Sequence, residues 1–237
     1  MFLPMAFLLA GAGVAGDGGA RVPVLLELFT SEGCSSCPPA DRLLEKLDRE
    51  QNIPGAEVIV LSEHVDYWNH LGWADPFSSP VYSERQREYA SRLDGQTYTP
   101  ELVVDGTRGF VGSDQREAEQ AIRAAARQGK VPLRVKAERM DRKAKVSIHL
   151  DGAASGTVYV AVAYDSMRSQ VTRGENAGRG LSHVGVAYSI EKVGKADGKT
   201  FDFERTVNLK SGDPGRIVAF VVQNASGHVE GVAQAKI

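Results

Sequence analysis

The chain has 237 residues, 42% of them apolar and 24% charged, a mix that excludes a disordered tail, a collagen-like repeat and a disulfide-dense mini-protein. At roughly 150 residues per domain there is room for one large domain or two small ones. Twenty-eight basic against thirty acidic residues give a net charge of -2, which leaves no basic field for a nucleic-acid backbone or an anionic membrane surface.

Residues 1–20 read as a secretory leader. The apolar run from Met1 to Val14 falls short of the roughly 20 residues a membrane-spanning helix needs, and Gly11-Ala12-Gly13-Val14-Ala15 supplies small residues suited to cleavage. No Lys or Arg precedes the run, so the signal is atypical unless the start lies upstream of Met1. The expectation is a periplasmic or secreted protein with no stable membrane span, in a compartment where disulfides persist.

Val24 to Phe29 is a near-continuous apolar run, as in a strand buried on both faces. Leu43, Leu44 and Leu47 then mark a helix from Pro38 to Arg49, and Glu57 to Leu61 a second strand. A right-handed crossover makes the two strands parallel neighbours. An aromatic loop from Val65 to Phe77 leads to a helix over Pro80 to Leu93. Leu102-Val103-Val104 turns at Asp105-Gly106 into a partner strand ending at Val111, and Ser113 or Asp114 caps a helix through Arg127. This β-α-β-α-β-β-α order is the thioredoxin-like one and fills residues 22–130. From 131 to 237 seven strand patterns follow, Leu133 to Ala137, Lys145 to Leu150, Val158 to Tyr164, Ala187 to Val193, Phe201 to Leu209, Arg216 to Gln223 and Val229 to Ala235. They predict an all-β antiparallel sandwich-like domain.

Cys34 and Cys37 are the only cysteines. A disulfide between them closes so short a loop that chain entropy gives it about 2 kcal/mol, so stapling is a weak reason for the pair. A Cys-x-x-Cys between a buried strand and a helix is placed for reactivity, because the helix start favours thiolate over thiol. Cys34 is the expected exposed nucleophile and Cys37 the resolving thiol. Pro38 and Pro39 remove N–H donors and bias Cys37 away from helical geometry, delaying the helix, while Glu32 and Asp41 oppose a second anion; the thiol pKa depression is expected to be modest.

The strand entered through Tyr98-Thr99-Pro100 runs antiparallel to the first in a thioredoxin-like sheet, which puts Pro100 beside the cysteines as a candidate cis proline presenting extended backbone to a client. His64, at the carboxyl end of the second strand with Asp66 nearby, is a candidate general base or proton shuttle close to Cys34. Tyr67, Trp68, Trp73 and Phe77 read as a lid or inter-domain core. Arg173, Glu175, Asn176, Arg179 and His183 form a polar cluster that is either a solvated hairpin or a loop packed over the cysteine edge. Candidate substrate-contacting residues are Thr99, Tyr67, Trp68, Arg173, Glu175, Asn176 and Arg179.

Phe29 to Asp41 with its Cys-Ser-Ser-Cys-Pro-Pro core, His64-Val65-Asp66-Tyr67-Trp68 with Leu71-Gly72-Trp73, Tyr98-Thr99-Pro100 and Arg173 to Arg179 together resemble an uncharacterised family of secreted bacterial thioredoxin-like proteins, a domain of unknown function with a CxxCPP motif. The resemblance covers nearly the whole chain after the leader and implies a thioredoxin-like fold and a redox role. Two departures stand out. Gly33 replaces the tryptophan that precedes the first cysteine in thioredoxin itself, and Gly185-Val186-Ala187-Tyr188 replaces a more polar stretch. The expected activity is thiol–disulfide exchange with protein clients, together with a possible redox partner and no dissociable cofactor. The alternatives are a Cu(I) module using Cys34, Cys37 and His64, whose thiolates suit a soft ion, and a non-catalytic partner-binding protein.

Overall fold

The computed structural model describes residues 20–93, 95–210 and 215–237. The expected leader lies outside the described residues, apart from Ala20. In chain order the elements are β1 (Val22–Thr30), α1 (Pro38–Glu50), β2 (Ala56–His64), α2 (Pro80–Ala90), β3 (Glu101–Val104), β4 (Arg108–Val111) and α3 (Gln115–Ala125). They continue with β5 (Leu133–Met140), β6 (Lys143–Leu150), β7 (Ser155–Gln170), β8 (Gly180–Asp197), β9 (Phe201–Asn208), β10 (Gly215–Val222) and β11 (Val229–Lys236). Caps fix two of the helices: the Ser79 hydroxyl accepts from Val81 N ahead of α2, and the Asp114 carboxylate from Glu117 N ahead of α3.

Strands β1 and β2 pair in parallel across the α1 crossover, β3 pairs antiparallel with β1, and β4 with β3. The chain then departs from an independent sandwich. Four of the seven later strands extend the first sheet, giving the order β11-β10-β7-β8-β2-β1-β3-β4, while β5, β6 and β9 form a separate three-stranded sheet. The boundary expected at residue 131 therefore falls inside one packed unit.

Side-chain alternation explains how. Val24, Leu26 and Leu28 of β1, with Val58 and Val60 of β2, pack beneath α1 and α3. Leu25, Ile59 and Leu61 point the other way and meet Tyr159, Ala161, Val218, Phe220, Val229 and Val232. The large sheet thus curls so that its β7–β10–β11 part stacks on its own β1–β2 part. The remaining face of β7 and β10, with Val160, Ile217, Ala219 and Val221, packs on the three-stranded sheet. Strand β10 is consequently buried along its whole length, whereas β5, β6 and β9 alternate between buried and exposed positions.

Buried charges also cross between the halves. The Arg216 guanidinium donates to both carboxylate oxygens of Asp48 on α1, at 2.9 and 3.0 Å, and to Asp165 on β7. Arg85 of α2 donates from Nε to Glu27 Oε1 at 2.6 Å and lies over the rings of Tyr159 and Phe220. Asp105, at the β3–β4 turn, accepts from Leu25 N through its carboxylate and from Val229 N through its carbonyl.

The two parts of the large sheet meet at a single bridging pair, Ser62 and Val186. Beside it Gly185 has a φ of +57°, and a Cβ at that position would sit 2.5 Å from the Val60 carbonyl oxygen. The departure seen in the sequence at Gly185 is thus a backbone requirement of the junction. Gly185→Ala is expected to destabilise the protein by about 2 kcal/mol or more, since it combines a disfavoured φ with a backbone clash; a thermal unfolding midpoint within one degree of wild type would contradict this.

Candidate functional site

The end of β1 and the start of α1 hold Cys34 and Cys37 in a disulfide with a Cα separation of 5.4 Å. Cys37 is the N-cap residue of α1 and has helical φ and ψ of -75° and -38°, so the helix starts at Pro38 without the expected delay. Its carbonyl accepts from both Ala40 N and Asp41 N, which recruits the first turn despite the two prolines. The Thr99–Pro100 peptide is cis, and the Ser36 hydroxyl reaches the Thr99 carbonyl at 3.5 Å. Trp68 donates from Nε1 to the Thr99 hydroxyl at 2.8 Å.

Cys34 is not the exposed thiol expected from the sequence: both cysteines are 0% exposed. The loop between β7 and β8 packs onto the backbone of this segment. Asn176 donates from Nδ2 to the carbonyls of Glu32 and Cys34, each at 2.9 Å, while its Oδ1 accepts from Arg179 Nη1 at 2.9 Å. The arginine fixes which way the amide faces, because only the NH2 side can serve two carbonyls. Glu175 accepts from Ser35 N at 3.2 Å. Gly174 and Gly72 permit the close approach: both have positive φ, and a Cβ on Gly174 would stand 3.2 Å from the Trp73 Cβ.

Glu32 and Asp41, on either side of the cysteine pair in the chain, belong to a buried polar cluster. Glu32 accepts from Trp73 Nε1 at 2.8 Å and from the Ser169 hydroxyl, and its amide donates to Asp75 Oδ2 at 2.8 Å. Asp41 Oδ1 accepts from the Thr30 hydroxyl at 2.9 Å. His183 of β8 lies between these carboxylates, its Nε2 3.4 Å from Glu32 Oε1 and its Nδ1 3.6 Å from Asp41 Oδ1. Burial opposes a charge on His183, but the two carboxylates outweigh it and push the pKa up to about 10. The His64 ring packs edge-on against His183 at 4.7 Å, and its Nδ1 pairs with Asp75 Oδ2 at 2.7 Å. Burial pushes the Asp75 carboxyl up, yet the His64 contact and the amides of Glu32 and Phe77 hold it below the usual value.

Residues 25–223 match the family described as Protein of unknown function (DUF1223). The chain belongs to this family. The crystal structure of protein AGR_C_4864 from Agrobacterium tumefaciens is 29% identical and superposes with a TM-score of 0.68 over 92% of this chain and 95% of the other. Spo0M, a sporulation control protein from Bacillus subtilis, is 12% identical over 46% of this chain and 49% of its own, with a TM-score of 0.32 that carries no argument. No curated protein matches the sequence.

In this DUF1223 chain the sequence-predicted residues divide into three groups. Cys34, Cys37, Thr99, Pro100, Trp68, Glu175, Asn176 and Arg179 converge around the disulfide loop. His64 is linked to the cysteine segment through Asp75 and the Glu32 amide, and its carboxylate partner is Asp75 instead of Asp66, which accepts from the Ser83 hydroxyl. Tyr67 donates to Gln86 at 3.1 Å and packs with Trp68 against Phe29 and Tyr89, a core role, while Arg173 is exposed. Among the described residues no three His, Cys, Asp or Glu side chains are grouped to hold a metal ion, and Cys34 and Cys37 are joined in the disulfide. No described helix is long and apolar enough to cross a membrane.

Sequence reasoning missed Asp75 and Ser169, which no motif marks, and treated Glu32 and Asp41 only as nearby charges. The His183 pair gives a pH signature. The folded-state pKa lies above the ordinary 6.5, so its contribution to stability is fully present below pH 6.5 and is lost as pH rises towards 10. Denaturant titrations of the oxidised protein between pH 6.5 and 10 should show a loss on the order of a few kcal/mol, and a clearly smaller one in His183→Gln.

Proposed function

We propose that this DUF1223 protein is an extracytoplasmic thioredoxin-like thiol–disulfide oxidoreductase acting on protein clients in a periplasmic or secreted setting. Cys34 exchanges with the client, Cys37 resolves the mixed disulfide, and the Thr99–Pro100 backbone beside them receives the client chain. The observation that carries the reading is a disulfide closing only a Cys-Ser-Ser-Cys loop at a strand-to-helix junction, within reach of the cis Thr99–Pro100 segment. Such a loop contributes about 2 kcal/mol as a staple, which argues for a reactive role over a structural one. Direction depends on the pair's potential against that of its compartment.

Because both sulfurs are 0% exposed, exchange requires the loop around Asn176 to lift away from Glu32 and Cys34. Insulin reduction in the presence of dithiothreitol should be accelerated by wild type and not by Cys34→Ser, and Cys37→Ser should accumulate a mixed disulfide. Equal activity of wild type and Cys34→Ser would overturn the proposal. Asn176→Ala removes two hydrogen bonds of about 1 kcal/mol each, so reduction of its disulfide by dithiothreitol should be about tenfold faster or more, read by thiol alkylation. An unchanged rate would show that the loop does not gate the sulfurs.

A further inference from the structure

Thiol exchange leaves unexplained why so many ionisable groups are enclosed around Glu32 and Asp41, which flank the cysteine pair in the chain. Asp41 Oδ2, His64 Nε2 and both ring nitrogens of His183 have no hydrogen-bond partner, although all are buried in this one cluster. Buried polar atoms are ordinarily satisfied, and a group of unsatisfied ones marks a site where a proton can be taken up or given away. His183 is faced by Glu32 from the loop after β1, by Asp41 from α1, by His64 from β2 with Asp75 behind it, and by the Phe77 ring.

The chemistry of the pair requires such a proton. When a client thiolate attacks Cys34 Sγ, the bond to Cys37 Sγ breaks and its electron pair departs on Cys37. That sulfur is 0% exposed, and a thiolate without solvent is strongly disfavoured unless it is protonated. Asp41 stands four residues further along, its amide held by the Cys37 carbonyl at 3.1 Å. Together with Pro38, Arg42, Gly180, Leu181 and Ser182 it also lines a surface cleft of about 180 Å3.

We propose that Asp41 and His183 form the proton relay that serves Cys37, refilled from solvent through the cleft beside Pro38, an inference that rests on the exchange reading above. The His183 imidazolium is the proton store: its proton passes by way of the Asp41 carboxylate, whose Oδ2 is free, to the departing Cys37 thiolate, and water in the cleft that Asp41 lines recharges the ring through the same carboxylate. A second client thiol then displaces Cys34, which takes its proton from solvent. The client dithiol is oxidised to a disulfide, the pair is reduced to two thiols, and the two protons released by the client balance the two taken up. In the reverse direction Cys37 loses its proton to Asp41 before attacking the mixed disulfide. His183 acts through Asp41 and is a positioning residue.

The test follows reduction of the oxidised full chain by dithiothreitol, at concentrations where the rate is proportional to reductant, from pH 7 to 10.5. Rates are expressed per dithiothreitol thiolate, and circular dichroism verifies folding at each pH. The wild-type rate per thiolate should hold steady near pH 7 to 8 and fall about tenfold or more as His183 loses its proton around pH 10. His183→Gln and Asp41→Asn should each be slower by about tenfold or more at pH 7, with flat profiles. The wild-type profile is decisive without any variant: a flat one, or folded variants that match wild type, overturns the relay while leaving exchange intact. Wild-type protein that dithiothreitol does not reduce at all overturns the exchange reading and the relay with it.

Discussion

The architecture depends on one narrow junction, the bridge between Ser62 and Val186 beside Gly185. It merges the first four strands with the later ones, and it lets the β7–β8 hairpin extend past the sheet and along α1. Each site residue drawn from the second half, Ser169, Glu175, Asn176, Arg179 and His183, lies on this hairpin or its connecting loop. The cysteine loop and the side chains that enclose it are separated by some 140 residues of sequence. A glycine with no room for a methyl group is therefore as much a part of the site as the cysteines it never touches.

The enclosure also changes the electrostatics around the sulfurs. A cysteine pair at a helix start, open to water, owes its reactivity to backbone dipoles. Here the pair is flanked in the chain by Glu32 and Asp41, whose carboxylates are as deeply buried as the core and face the His183 imidazole, so fixed side-chain charges in a medium that screens them weakly contribute to the local field. Asn176 adds a mechanical element, because one amide ties the carbonyls of Glu32 and Cys34 to a remote loop. Access and charge compensation are thereby supplied by the same hairpin.

Local structure and the pairing of the first three strands were legible in the sequence, and the assembly of the later strands was not. All fourteen elements appear where periodicity, Pro and Gly punctuation and capping residues placed them, because those signals are local. The β7–β8 hairpin is far longer than its apolar segment, since polar residues such as Arg168 and Ser182 extend it over α1. Reading residues 131–237 as a separate antiparallel sandwich-like domain missed a cue that was present. Ile217 to Val222 is continuously apolar, and a sandwich strand with one wet face would alternate. The cysteine pair, the cis proline and the loop from Glu175 to Arg179 were recoverable because motif and resemblance converge on them. Asp75 and Ser169 were not, since an isolated Asp or Ser carries no pattern until the fold brings it to Glu32.

The curled sheet has a consequence for biosynthesis. Leu25, Ile59 and Leu61 on one face of the first strands are covered by Tyr159, Phe220, Val229 and Val232, the last of which lies close to the carboxyl terminus. During translation the first two strands emerge with this greasy face bare and stay so until β7, β10 and β11 have been made. Topologies of such long sequence separation fold slowly and expose sticky intermediates, so aggregation of a partly made chain is the hazard this arrangement carries until β10 and β11 are in place.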